Sequence, residues 1–185
     1  RVAVSTSVQV ADFERSDTDC AIRHGRGGWN GIESTLLFRE SLVAVGLPSF
    51  VATAGTGDLG HFFRETPVIA VSTRPDDWRT WWHGAGLDGP FPKAALIVET
   101  RAQAIAGALA GAGIALADPR LIQADMEART LAALPLPPVP LATGYHFVTP
   151  PRSRSRKNVQ LLRQWVLAEA ARGAAASPIS NDGSG

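Results

Sequence analysis

The pair Thr100 and Arg101 has the residue types and the spacing that best fit ligand binding. Thr100 precedes an apolar run that predicts a helix ending near Gly111 or Gly113. A hydroxyl side chain at the N-cap leaves backbone N–H groups pointing out of the helix start, which is a ready site for an anion. Arg101 could meet a carboxylate or face water. An ordinary helix cap without a ligand is the competing interpretation.

Other chemistry-bearing residues give no catalytic pattern. The stretch 23–28 (RHGRGG) lacks the G-x-x-x-x-G-K-[ST] spacing of a phosphate loop, so we interpret its glycines as a tight turn. Four scattered histidines show no H-E-x-x-H spacing, and no serine lies in a G-x-S-x-G elbow. Cys20 alone can form neither an intrachain disulfide nor a thiolate zinc cage. The sequence predicts no enzyme, cofactor or metal site.

Charge and hydropathy narrow the class of protein. Among 185 residues, 18 basic and 17 acidic side chains give a formal charge of +1, too weak a field to attract nucleic acid by itself. No stretch reaches the roughly 20 apolar residues that span a bilayer. We therefore expect a globular protein that makes no direct contact with DNA or membrane through this segment. The single cysteine fits a reducing cytoplasm best.

Strand and helix patterns alternate along the chain. Apolar runs predict strands at 2–10, 19–24, 36–38, 42–45, 68–71, 96–98, 114–116 and 145–148. Caps and periodicity predict helices at 58–64, from Pro75-Asp76-Asp77 to Gly84, from Thr100, at 121–128 and at 158–171. Three tryptophans at i, i+3 and i+4 in the second helix favour packing onto a sheet over sugar stacking. The fold class is α/β.

Five segments in a fixed order resemble one family of bacterial proteins. They are 17–31 (DTDCAIRHGRGGWNG), 36–45 (LLFRESLVAV), 74–87 (RPDDWRTWWHGAGL), 104–116 (AIAGALAGAGIAL) and 144–151 (GYHFVTPP). Together they resemble the effector-binding domain of LysR-type transcriptional regulators, in the branch similar to the glycine cleavage activator. No single segment is specific, and the joint order and spacing are what point to the family.

The resemblance implies a domain plan. Two Rossmann-like lobes of the periplasmic-binding-protein type II fold would flank a cleft, joined by crossover strands at 42–45 and 146–148. Residues 1–45 with 147–172 would form lobe I, 46–146 lobe II, and 173–185 a disordered tail. The family's N-terminal winged helix-turn-helix, and the sensor's first strand and helix, are expected to be missing from the chain.

The same resemblance implies a site and a function. The helix start at Thr100 and Arg101 would face the cleft, and Asp19 could orient a ligand amine or fix its loop. Tyr145 and His146 are neighbours on a predicted strand, so only one of the two side chains should point at the ligand. His146 is the preferred ligand residue. The competing interpretation is that His146 is hydrogen-bonded within the hinge.

The implied partners are a small effector (an amino acid, a muropeptide or a small carboxylate), further copies of the full-length protein, and promoter DNA through the N-terminal domain. A stand-alone solute-binding protein of the same fold is the alternative.

Overall fold

The computed structural model describes residues 2–9, 11–55, 59–89 and 91–175. Its strands are β1 (Ala21–Gly25), β2 (Glu33–Gly46), β3 (Ile69–Val71), β4 (Leu96–Val98), β5 (Ala115–Ala117), β6 (Ala132–Ala133) and β7 (Val139–Thr149). Its α-helices are α1 (Pro48–Ala54), α2 (Leu59–Glu65), α3 (Asp77–Gly84), α4 (Arg101–Leu109), α5 (Gln123–Glu127) and α6 (Lys157–Ala175), with a 3-10 turn at Pro119–Leu121. The predicted α/β class is confirmed.

The chain divides into two compact units. The first comprises Arg1–Glu40 and Leu141–Gly185, and the second is the continuous stretch Ser41–Pro140. Strands β2 and β7 each run through both ranges. The predicted lobe boundaries, after residues 45 and 146, fall a short way further along these same two strands.

The first unit is built on an antiparallel arrangement. β1 pairs with β7 from Ala21 opposite Val148 to Gly25 opposite Gly144, and β2 lies on the other side of β7. Gly144 is required there, because a Cβ would lie 2.5 Å from the carbonyl oxygen of Phe38 on β2. Helix α6 contributes Val159 to the buried residues of this unit.

The second unit has a core of small and branched side chains. Val43 to Val45 of β2 pair antiparallel with β5, β6 pairs with the same strand, and β3 pairs in parallel with β4. Helix α4 presents Ala104 and Ala108 to this core, where small residues allow a close helix-on-sheet approach. On α3, Trp78, Trp81 and Trp82 are buried around Phe63. The prediction that these tryptophans pack rather than bind sugar is confirmed.

The prediction of two short strands at 36–38 and 42–45 is wrong. The structure has one strand of 14 residues, β2, through the polar residues Arg39, Glu40 and Ser41. These polar residues do not break the strand because they find partners inside the protein. The Glu40 carboxylate meets His24, and the Ser41 N–H donates to Asp118 Oδ2 at 2.9 Å.

Both chain ends differ from the predictions. Residues 2–9 form no strand, and Val2, Val4 and Val8 are exposed. Alternating valines without a partner strand are therefore not enough to form a strand here. Residue 10 lies outside the described part. Helix α6 continues to Ala175, into the range predicted as a tail, and residues 176–185 lie outside the described part. Trp165 of α6, which the helical spacing places on one face with Val159, is 59% exposed, whereas Val159 is buried.

Gly113 offers a test of this packing. Its φ is +146°, and an added Cβ would overlap the carbonyl group of Pro67. We expect Gly113→Ala to destabilise the fold by about 2–3 kcal/mol, measured by urea unfolding.

Gly86→Ala is the matched control. Gly86 also has a positive φ, +74°, but the space around its Cβ position is open. We expect Gly86→Ala to lower the free energy of unfolding by only about 1 kcal/mol, the cost of the left-handed backbone conformation for alanine. Equal losses in the two variants would contradict the packing argument.

Candidate functional site

The start of helix α4 is organised by a capping box. The Thr100 hydroxyl accepts from the Gln103 N–H at 3.2 Å, and the Gln103 side-chain oxygen accepts from the N–H groups of Thr100 at 2.9 Å and Glu99 at 3.1 Å. The prediction that Thr100 is the N-cap is confirmed. Within the described part of the chain the Ala102 N–H makes no hydrogen bond, so this donor remains for an anion.

Arg101 points into the second unit. Its guanidinium, in a side chain only 6% exposed, donates to the Leu116 carbonyl at 3.1 Å and to Asp77 Oδ2 at 2.6 Å. The carboxylate that Arg101 meets is therefore one of the protein's own. The cavity beside the pair has a volume of about 10 Å³, no more than one water molecule needs. A direct role of Arg101 in ligand binding stays a prediction.

Replacing Arg101 should test its structural role. Arg101→Met keeps most of the side-chain length but leaves Asp77 without the guanidinium, so we expect a loss of about 2–3 kcal/mol in unfolding free energy. Arg172→Gln is the control, because Arg172 is exposed and pairs with Glu169 on the surface of α6 at 2.9 Å. That change should alter stability by less than about 0.5 kcal/mol in urea unfolding. Equal effects would contradict the assignment.

Asp19 is engaged by the turn that precedes α6. Its carboxylate accepts from Ser153 Oγ at 3.2 Å and from Arg156 Nη1 at 2.5 Å. Arg152, in the same turn, donates to the carbonyls of Phe13, Ser16 and Thr18. These bonds fix the segment before β1, which matches the loop-fixing interpretation of Asp19. Contact with a ligand amine stays a prediction.

Burial and the neighbouring Asp19 carboxylate raise the pKa of the Cys20 thiol, burial being the larger cause. The thiolate is therefore less populated in the folded protein than in the unfolded chain at a given pH. A raised pKa in the folded state also means that the thiol favours folding below its unfolded pKa and loses that contribution as the pH rises.

Alkylation by iodoacetamide as a function of pH should show this shift. We expect the rate for Cys20 to rise at a higher pH in the folded protein than in the chain unfolded in urea. Asp19→Asn should move the folded profile part of the way back, since desolvation remains. A folded midpoint at or below the unfolded one would overturn the assignment.

Tyr145 and His146 lie on opposite faces of β7, as strand alternation predicts. His146 is 8% exposed, and its Nδ1 forms a hydrogen bond with Ser34 Oγ at 3.1 Å. Its ring packs edge-on against the Trp29 ring, with 5.2 Å between the ring centroids. Tyr145 packs against His24 at 5.1 Å and Phe38 at 5.0 Å. His146 is thus a hydrogen-bonded histidine within its own unit, and its preference as a ligand residue stays a prediction.

The structure groups the predicted residues only in part. Thr100 and Arg101 belong to the second unit, and the other three belong to the first. Within the first unit, Asp19 lies beyond the start of β1, whereas Tyr145 lies opposite His24 near its end. Asp19 lies two residues before β1, whereas His24 and Tyr145 lie at the other end of that strand. Asp19 and Tyr145 therefore do not form one constellation.

Sequence reasoning missed the pair of His24 and Glu40. His24 Nε2 lies 2.7 Å from Glu40 Oε2, and the Glu40 side chain has no exposed surface. The available signal was Glu40, a carboxylate between the apolar runs 36–38 and 42–45, because a buried carboxylate needs a partner. The glycines after His24 form a turn, and a Cβ on Gly27 would lie 2.7 Å from the His146 ring. In the same segment, the Arg23 guanidinium lies over the Trp29 ring, 4.2 Å from its centroid.

Two kinds of site are not found in the described residues. No group of three or more His, Cys, Asp or Glu side chains there could hold a metal ion. None of the described helices is long and apolar enough to span a membrane.

The fold and these residues can be compared with known proteins. The sequence profile of the LysR substrate binding domain matches residues 1–171. The chain belongs to this family. The glycine-cleavage-activator-like resemblance is also confirmed, since the glycine cleavage system transcriptional activator of Escherichia coli K12 is 27% identical over 173 residues, which is 91% of this chain and 56% of that protein.

A second curated relative is more similar in sequence. The HTH-type transcriptional activator AmpR of Pseudomonas aeruginosa is 32% identical over 174 residues, 91% of this chain and 55% of that protein. The LysR-family chain thus spans about half the length of these relatives.

A solved structure agrees on the fold. The effector domain of AmpR from Pseudomonas aeruginosa superposes with a TM-score of 0.76 at 23% identity, over 89% of this chain and 78% of that one. The fold is therefore that of LysR effector domains, the periplasmic-binding-protein type II-like α/β fold.

Proposed function

We propose that this chain is the effector-sensing domain of a LysR-type transcriptional regulator. The observation that carries the proposal is the family match over residues 1–171, together with two relatives that are transcriptional activators by name. Binding of a small molecule would shift the population of two arrangements of the regulator by its difference in affinity for them.

The start of α4 supports an anionic group on the effector. The Ala102 N–H and the positive end of the helix dipole favour a carboxylate beside the Thr100 hydroxyl. An amino acid, a muropeptide and a small carboxylate share this group. We propose Thr100 as the central ligand residue, with Arg101, Asp19, Tyr145 and His146 as the further candidates. Binding between the two lobes stays a prediction.

The remaining expectations concern the whole protein. We propose that promoter DNA is bound by a part of the regulator outside these 185 residues, because the formal charge of +1 gives this chain little attraction for nucleic acid. Dimers or tetramers of the full-length regulator, a cytoplasmic location and the lack of enzymatic activity are likewise proposals, and they rest on the family alone.

A thermal-shift screen tests the effector proposal. The 185-residue chain would be heated with amino acids, muropeptides and small carboxylates, and a true effector should raise the melting temperature. At 100 times its dissociation constant a ligand adds about 2.7 kcal/mol to stability, which corresponds to roughly 5–10 °C for a chain of this size. Thr100→Ala should abolish the shift.

Controls separate binding from capping. Thr100→Ala also removes a helix cap, a loss of about 1 kcal/mol without any ligand. Gln103→Ala weakens the same capping box but keeps the Thr100 hydroxyl, so it should keep the shift, and Thr100→Ser should restore it. A shift that survives in Thr100→Ala would refute the role of Thr100. If no compound gives a shift, the proposal that this chain binds an effector by itself fails.

A further inference from the structure

A polar groove lies on the first unit, between the beginning of β2 and helix α6. It has a volume of about 580 Å³ and is lined by Glu33, Arg154, Ser155, Gln160, Arg163 and Gln164. Known ligand pockets have volumes of roughly 300–1,000 Å³, but most are apolar. This groove is lined by polar side chains and open to water, so a hydrophilic ligand would fit its chemistry.

Two bonds order the side chains of Arg163 and Gln160 in the groove. Arg163 Nη2 donates to Thr35 Oγ1 at 2.9 Å, and the Gln160 side-chain amide donates to the carbonyl of Arg154 at 3.3 Å. Side chains already fixed in the free protein lose less entropy when a ligand binds. The Arg163 guanidinium is therefore preorganised for an oxyanion.

The arginines around the groove differ in their partners. In the basic run at 152–157, Arg152 is engaged by backbone carbonyls and Arg156 by Asp19. Among the described residues no carboxylate lies within 4 Å of the guanidinium of Arg154 or Arg163. Glu33 is the one carboxylate among the lining residues. The groove thus combines two cations with one anion.

This charge pattern selects one class of ligand. Guanidinium groups bind carboxylate and phosphate oxygens through paired N–H donors, and a carboxylate such as Glu33 accepts from an ammonium group. Ser155 and the amides of Gln160 and Gln164 can bond to further polar atoms. A zwitterion with net negative charge, such as an acidic amino acid, satisfies both signs of charge.

We propose that this groove is a second ligand site of the domain, for a small hydrophilic zwitterion with net negative charge. None of the five residues proposed for the effector site lines it, and Thr100 and Arg101 belong to the other unit. The inference therefore goes beyond the proposed function and does not depend on it.

An NMR titration of the 15N-labelled chain tests the proposal. L-Glutamate and O-phosphoserine distinguish carboxylate from phosphate, and glutarate lacks the ammonium group. At about 20 mM salt, where charges are weakly screened, we expect saturable shifts of the side-chain amide signals of Gln160 and Gln164. Binding of each compound should weaken roughly fivefold to tenfold in Arg154→Gln and in Arg163→Gln.

Matched variants make the outcome decisive. Arg172→Gln removes a cation from α6 outside the groove and should leave the affinity unchanged. Glu33→Gln should weaken L-glutamate binding but not glutarate binding. Arg154 is exposed, so its variant should fold even if Arg163→Gln does not.

Three results would overturn the inference. Shifts that do not saturate, or that are equal in Arg154→Gln and Arg172→Gln, would show charge screening rather than a site. Saturable shifts confined to α4 would place the ligand elsewhere. Equal weakening of L-glutamate and glutarate by Glu33→Gln would refute the ammonium contact.

Discussion

Strand β2 can cross the protein interior only because its polar groups have partners there. A buried carboxylate or N–H group without a partner is unfavourable by one to several kcal/mol, roughly the effect of a large core mutation. Glu40 meets His24 in the first unit, and the N–H of Ser41 meets Asp118 in the second. β2 pairs with strands of both units, β7 in the first and β5 and β6 in the second, so the arrangement of each unit depends on these adjacent bonds.

The same requirement explains why the two buried candidate ligand residues, Arg101 and His146, already have partners, and the more exposed Asp19 is also paired. Arg101 is bound to Asp77, Asp19 to Arg156, and His146 to Ser34. An effector that used these side chains would have to replace the existing bonds. The backbone at the start of α4 is different, because the capping box satisfies some donors and leaves the Ala102 N–H. This difference makes Thr100 the strongest of the five candidates.

Local signals in the sequence predicted many elements of the fold, and features that depend on distant residues were missed. The N-cap at Thr100 and the strand β4 at residues 96–98 were predicted with their observed positions. Helix α1 was missed because Pro48 indicates a boundary and, equally, a first helical turn.

Partners far apart in sequence had no signal of that kind. Glu40 meets a histidine 16 positions away, and Arg101 meets an aspartate 24 positions away. The exposure of Trp165 could not be predicted from the sequence either. Helical spacing shows which side chains share a face of α6, but it does not show whether another element packs on that face. Because the candidate site residues also pair over such separations, their partners could not be predicted from the sequence.

The discontinuous composition of the first unit has a consequence for the order of folding. The second unit is one continuous stretch, so all of its contacts become available once residue 140 has left the ribosome. The first unit must wait for β7 and α6, because among the described residues β1 pairs with β7 alone, and Arg152 binds the loop before β1. We expect the inserted unit to fold first during synthesis, while the earlier strand β1 stays unpaired until β7 has been synthesised.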